Sequence, residues 1–158
     1  MTTQQMTPTP VSSGPVAFRW ALVPLDCNGI ALATVARMLD GDAGGARARV
    51  MKPGEHAPFG VAPVFVADTT LHGATRVEQM LLRWGDRPKP WLVWVADAPT
   101  RPVQDARFLV RALEGRLAGV AKVPYLPVLR AVRGAEEALE YKDVQAAAEK
   151  LRRTMERN

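Results

Sequence analysis

The run WLVWV at Trp91–Val95, followed by Ala96, is apolar at every position. Side chains alternate between the two faces of a strand, so a strand without a polar position has to be covered on both. That places it in the middle of a sheet with helices above and below. The rest of the chain agrees. VAFRWALVPL at 16–25 reads as a buried strand, and VAPVFVADTT at 61–70 as another, strongest at Val64–Ala67. VAKVPYLP at 120–127 supplies a short fourth. Pro24 cannot donate to a ladder, so the first strand is expected to end before it or to lie exposed there.

Between these strands the apolar period changes from two to between three and four. IALATVARML carries Ile30, Leu32, Val35, Ala36 and Leu39 at helical spacing, and Asp40-Gly41 stops it. LHGATRVEQMLLRW presents Val77, Met80, Leu81 and Trp84. RPVQDARFLVRALEGRLAG reads as a helix with Pro102 in its first turn. Its buried stripe runs through Val103, Ala106, Leu109, Val110, Leu113 and Leu117. Residues 135–157 read as one last helix with acidic residues early and Arg152, Arg153 and Arg157 late, which suits its dipole. The stripe there is light, so an edge position or a partner is expected. This alternation predicts an α/β fold: a three-layer, mostly parallel sheet with helices on both faces, P-loop-NTPase-like or Rossmann-like. The predicted organisation is a disordered tail at 1–15, rich in Thr, Ser, Gln and Pro, and one domain at 16–158. Within that domain a long Gly-rich loop spans 40–60, with room for a short strand at ARARVM.

Composition narrows function less. The chain has 158 residues, 47% hydrophobic and 23% charged, which is ordinary for a globular protein. Formal charge is +5, a modest excess that leaves nucleic acid possible as a partner without favouring it. The single cysteine, Cys27, cannot form an internal disulfide, and neither a signal peptide nor a membrane span is legible, so a cytoplasmic protein is expected. His56 and His72 stand far from the cysteine, so no structural metal is expected.

Ligands of parallel sheets gather at the carboxyl ends of the strands. Those ends here carry Asp26, Asp68, Asp97 and the loop Pro124–Pro127. The turn DCNGIALAT occupies the place of a phosphate loop but has one glycine, no lysine and no hydroxyl in the first helical turn. Asp26 would repel a phosphate. Asp26 or Asn28 is expected to cap the helix while Gly29 tightens the turn, with Asn28-Gly29 free to take positive φ. Asp68 and Asp97 either cap the following helices or hold a divalent metal if they converge. His72 is a base near Asp68 or a solvent-facing residue at a helix start. Cys27 stands where a helix N-terminus would favour a thiolate, yet no base accompanies it, and a small buried hydrophobe is the expected role. Arg101, Arg107, Arg111 and Arg116 decorate one helix without the aromatic interleaving of single-strand binders.

VFVADTTLHGATRVEQMLLRW, WLVWVADAPTRPVQDARFLVRAL and GVAKVPYLPVLRAV together resemble the later half of the deviant P-loop proteins related to MinD and ParA. The similarity is to small actinobacterial members of that group. The resemblance implies that Thr69 and Thr70, then Asp97, then Pro124, Tyr125 and Pro127 surround a nucleotide, with Phe18–Leu39 standing where the phosphate loop stands. The Gly-Lys-Ser/Thr run and the second signature lysine are absent, which removes the main electrostatic support for hydrolysis. The expectation is therefore a non-catalytic scaffold acting through protein contacts in a bacterial regulatory, partition or mobile-element system. By the same resemblance a homodimer is plausible, and no cofactor is called for. The alternatives are a nucleotide-binding protein or weak ATPase using ATP with magnesium, and a DNA-binding accessory protein. In the first of these the Pro124–Pro127 loop would hold the base, with Asp26 or Asp68 holding the metal.

Overall fold

The computed structural model describes residues 18–157, and the tail expected to be disordered, 1–15, lies outside them. Five parallel strands form one sheet: β1 (Trp20–Asp26), β2 (Ala48–Val50), β3 (Ala62–Asp68), β4 (Trp91–Val95) and β5 (Gly119–Val123). Their order is β2-β1-β3-β4-β5. This is the doubly wound order of flavodoxin-like sheets, distinct from the 3-2-1-4-5-6 order of dinucleotide-binding domains. Helices α1 (Gly29–Asp40), α4 (Ala135–Ala138) and α5 (Lys142–Glu156) cover one face. Helices α2 (Leu71–Leu82) and α3 (Gln104–Leu113) cover the other.

The strand pattern explains the layering. Val64 and Val66 of β3 face the first helix layer with Trp91, Val93 and Val95 of β4. Phe65, Ala67, Leu92 and Trp94, one step out of phase, face the second. All five residues of β4 are buried. The four tryptophans are buried too, and Phe65 meets Trp84 edge to face at 4.9 Å between ring centres.

β1 runs through Pro24 to Asp26, the second of the two expected outcomes, and its register with β3 shifts between Pro24 and Asp26. Trp20 and Leu22 bond towards β2, so Pro24 points its missing N–H the same way, where β2 has already ended. No ladder bond is lost, and Pro24 is exposed. The 40–60 segment does contain a strand, β2, as the ARARVM reading allowed. It is anchored by Asp40, which is 2% exposed. Its carboxylate accepts the backbone N–H groups of Gly45 (2.6 Å), Arg47 (2.8 Å) and Ala48 (3.1 Å). Burial pushes the Asp40 carboxyl up, but these donors and the Arg37 charge outweigh that and hold it below its ordinary range.

Two helical expectations need correction. α3 begins at Gln104, so Pro102 precedes it, and Val103 is exposed instead of buried. The Pro102 carbonyl accepts Arg107 Nε at 3.1 Å, which holds that loop. The last helix is broken into α4 and α5. Glu140 and Tyr141 bond three residues back, tightening the turn, and the Leu139 carbonyl is taken by Gln145 Nε2 at 2.8 Å. The apolar stripe changes phase between Leu139 and Val144, so one straight helix cannot bury both halves. α5 takes the expected edge position: it packs on the edge strand β5 and on α1 through Val144, Ala147, Ala148, Leu151 and Met155.

Candidate functional site

The carboxyl ends of β1, β3 and β4 are neighbours, so the strand order brings Asp26, Asp68 and Asp97 to one edge. Each is already engaged within the chain or faces solvent. After β1, Asn28 is the α1 cap: its Oδ1 accepts the Ala31 N–H at 2.8 Å and its carbonyl accepts Leu32 N–H. Asn28 stands at φ −74°, ψ 158°, and Gly29 is the first helical residue, so the expected positive-φ turn does not form. An extended capping residue brings the chain into the helix without it. A Cβ at Gly29 would meet nothing.

After β3 the cap of α2 is Thr70, and Asp68 supports it. Thr70 Oγ1 accepts Gly73 N–H at 2.9 Å and donates to Asp68 Oδ1 at 2.6 Å. Thr70 N–H also reaches Asp68 Oδ1, at 3.2 Å. Gly73 sits so close that an added Cβ would overlap the Asp68 carbonyl. Trp94 Nε1 donates to that same carbonyl at 2.8 Å. Asp97 does not cap α3. Its carboxylate accepts Thr69 Oγ1 at 2.8 Å, and its own N–H returns to that oxygen at 3.3 Å. Thr69, buried, thus ties the loop after β4 to the end of β3.

The electrostatics of this edge are negative. Burial raises the Asp68 carboxyl above its ordinary value, Thr70 partly opposes this, and the charges of Asp26 and Asp97 raise it further. Cys27 is pushed to about 11, by burial first and then by Asp68 and Asp26. The helix N-terminus that would favour a thiolate is overruled by burial, with two carboxylates adding to it. His72 lies beside Asp26, at 4.0 Å, and is largely exposed; His56 is exposed in the loop before β3. Among the described residues no group of three or more His, Cys, Asp or Glu is arranged to hold a metal ion.

A pocket of about 290 Å³ opens beside these groups. Of the residues singled out from sequence, Cys27, Asn28, Asp68, Asp97, Pro124 and Tyr125 line it. Asp26, Gly29 and Pro127 do not; Pro127 instead starts a tight turn, Pro127–Arg130. That turn brings in Leu129 and Arg130, which sequence reasoning did not place there. Their signal was the spacing of Leu126 and Leu129, which fits one helical turn. Among the described residues, Arg130 is the one cation of the pocket lining. This donor set is poorly matched to a triphosphate: Asn28 already takes the Ala31 N–H of α1, carboxylates dominate, and the turn holds no lysine. On α3, Arg107 donates to Pro102, while Arg116 beyond it donates to the Leu81 carbonyl at 2.7 Å, so neither guanidinium is wholly free for phosphates.

No protein-family model, curated protein or solved structure matches the chain.

Proposed function

We propose that this chain is a non-catalytic α/β protein that acts through protein–protein contacts. Its setting, a bacterial regulatory, partition or mobile-element system, rests on the resemblance to the MinD and ParA group alone. The observation that carries the reading is the convergence of Asp26, Asp68 and Asp97 at one edge of the sheet, where a parallel sheet receives its ligand, with Arg130 as the one cation among the described residues that line the adjoining pocket. A polyphosphate brought there meets repulsion. At the nearby helix N-termini, Asn28 takes the Ala31 N–H and Thr70 takes the Gly73 N–H.

A second reading, nucleotide binding, is favoured by one observation: the pocket gathers Asn28, Asp68, Asp97, Pro124 and Tyr125. Its volume lies just below the range of about 300–1,000 Å³ usual for small-molecule sites. Thermal melting with and without Mg-ATP separates the two. A ligand at a hundred times its Kd stabilises the folded state by about 2.7 kcal/mol. The protein-contact reading expects an unchanged midpoint, and a rise of several degrees that requires magnesium would replace it with the second.

A further inference from the structure

β5 ends the sheet, and among the described residues no strand pairs with its outer side. An open strand edge presents backbone donors and acceptors to any extended chain that can approach. Here the edge is flanked by a groove of about 660 Å³ that runs between the start of α3 and the flank of α5. Its floor is apolar, with Trp94, Val123, Leu126 and Ala147. Its rim is cationic. Arg101, Arg107, Lys122 and Lys150 line it against a single acid, Asp143, whose carboxylate takes its own helix's Val144 N–H at 2.9 Å. None of the four cations forms an ion pair among the described residues.

Lys122 lies on the edge strand itself and is exposed. An edge lysine repels a second copy of the same edge. Two chains docked through β5 would also bring their arginines and Lys150 side chains together, so a homodimer is the wrong occupant for this groove. The same charges attract an acidic chain. We infer that the β5 edge and its cationic groove receive an extended acidic segment of a partner protein, which adds as a sixth strand beyond β5. The backbone supplies the pairing, the floor takes the partner's apolar side chains, and Arg101, Lys122 and Lys150 take its carboxylates. This rests on the protein-contact reading and names the class of partner.

The test is an amide NMR titration of the full chain with a capped peptide of alternating glutamate and valine. Saturable shifts at Gly119–Val123 and at Trp94 and Ala147 are expected. The Lys122→Glu/Lys150→Glu variant changes only exposed side chains, and its melting midpoint is checked first. It should bind the acidic peptide at least about tenfold more weakly and prefer a peptide of alternating lysine and valine, because like charges across an interface oppose docking. Of two peptides, each methylated on the nitrogens of one edge, the one whose methylated edge faces β5 should lose binding through blocked strand pairing. No shifts at β5, equal binding by the variant, or undiminished binding of both methylated peptides overturns the proposal. So does a duplex oligonucleotide that displaces the peptide, or a dimer in sedimentation that the double variant dissolves. Titration of the same sample with Mg-ATP keeps the two readings apart. A failed peptide with unmoved Asn28 and Tyr125 amides removes only this partner class, whereas ATP-dependent shifts there remove the protein-contact reading itself.

Discussion

Asp68 and Cys27 are linked electrostatically, since the Asp68 charge raises the cost of ionising the Cys27 thiol. Replacing Asp68 by Asn keeps an oxygen for the Thr70 N–H and hydroxyl but removes a charge that burial, Asp26 and Asp97 all oppose. Asp68→Asn should therefore raise the melting midpoint at neutral pH, and a lowered midpoint would contradict this. The Cys27 thiol should fall part of the way from about 11, since burial, its largest cause, remains. Iodoacetamide alkylation followed against pH reads this directly, and an unmoved midpoint of alkylation would break the link. Asp40 has the opposite sign. Its folded carboxyl lies below the ordinary value, so its contribution is present above about pH 4, the unfolded range, and is lost as pH falls through the lower folded value. Asp40→Ala strands three backbone N–H groups and should cost about 2–4 kcal/mol by urea unfolding, with a flatter acid limb than the parent.

Among the elements, those with a clean period were legible from the chain. β4 has no polar position and lies in the interior of the sheet, flanked by β3 and β5. α1 ends where Asp40-Gly41 said it would, with Gly41 at φ 62°. What was missed depends on contacts distant in sequence. The break between α4 and α5 contains neither Gly nor Pro, and only the phase change from Leu139 to Val144 marks it. The path of β1 through Pro24 could not be read without knowing that β2 stops short of it. The strand-end carboxylates were visible as a pattern, but their adjacency follows from the order β1-β3-β4, which tertiary packing sets. α5 was read as lightly apolar, yet it closes the first helix layer against α1 and β5. Leu151 is 1% exposed there, so Leu151→Ala should cost about 2–5 kcal/mol in chemical denaturation. A loss below about 1 kcal/mol would mean that α5 is docked weakly.

At the scale of the whole molecule, one end of the sheet is electronegative and internally hydrogen-bonded, while the β5 side is open, apolar and cationic. No described helix is long and apolar enough to cross a membrane. The division between a closed edge and an open side is what the protein-contact reading depends on, and isothermal titration calorimetry with Mg-ATP tests it most directly. No saturable heat up to about 1 mM nucleotide is predicted, with or without magnesium. A magnesium-dependent Kd below about 10 μM, abolished by Asn28→Ala in a variant that still melts cooperatively, would contradict it.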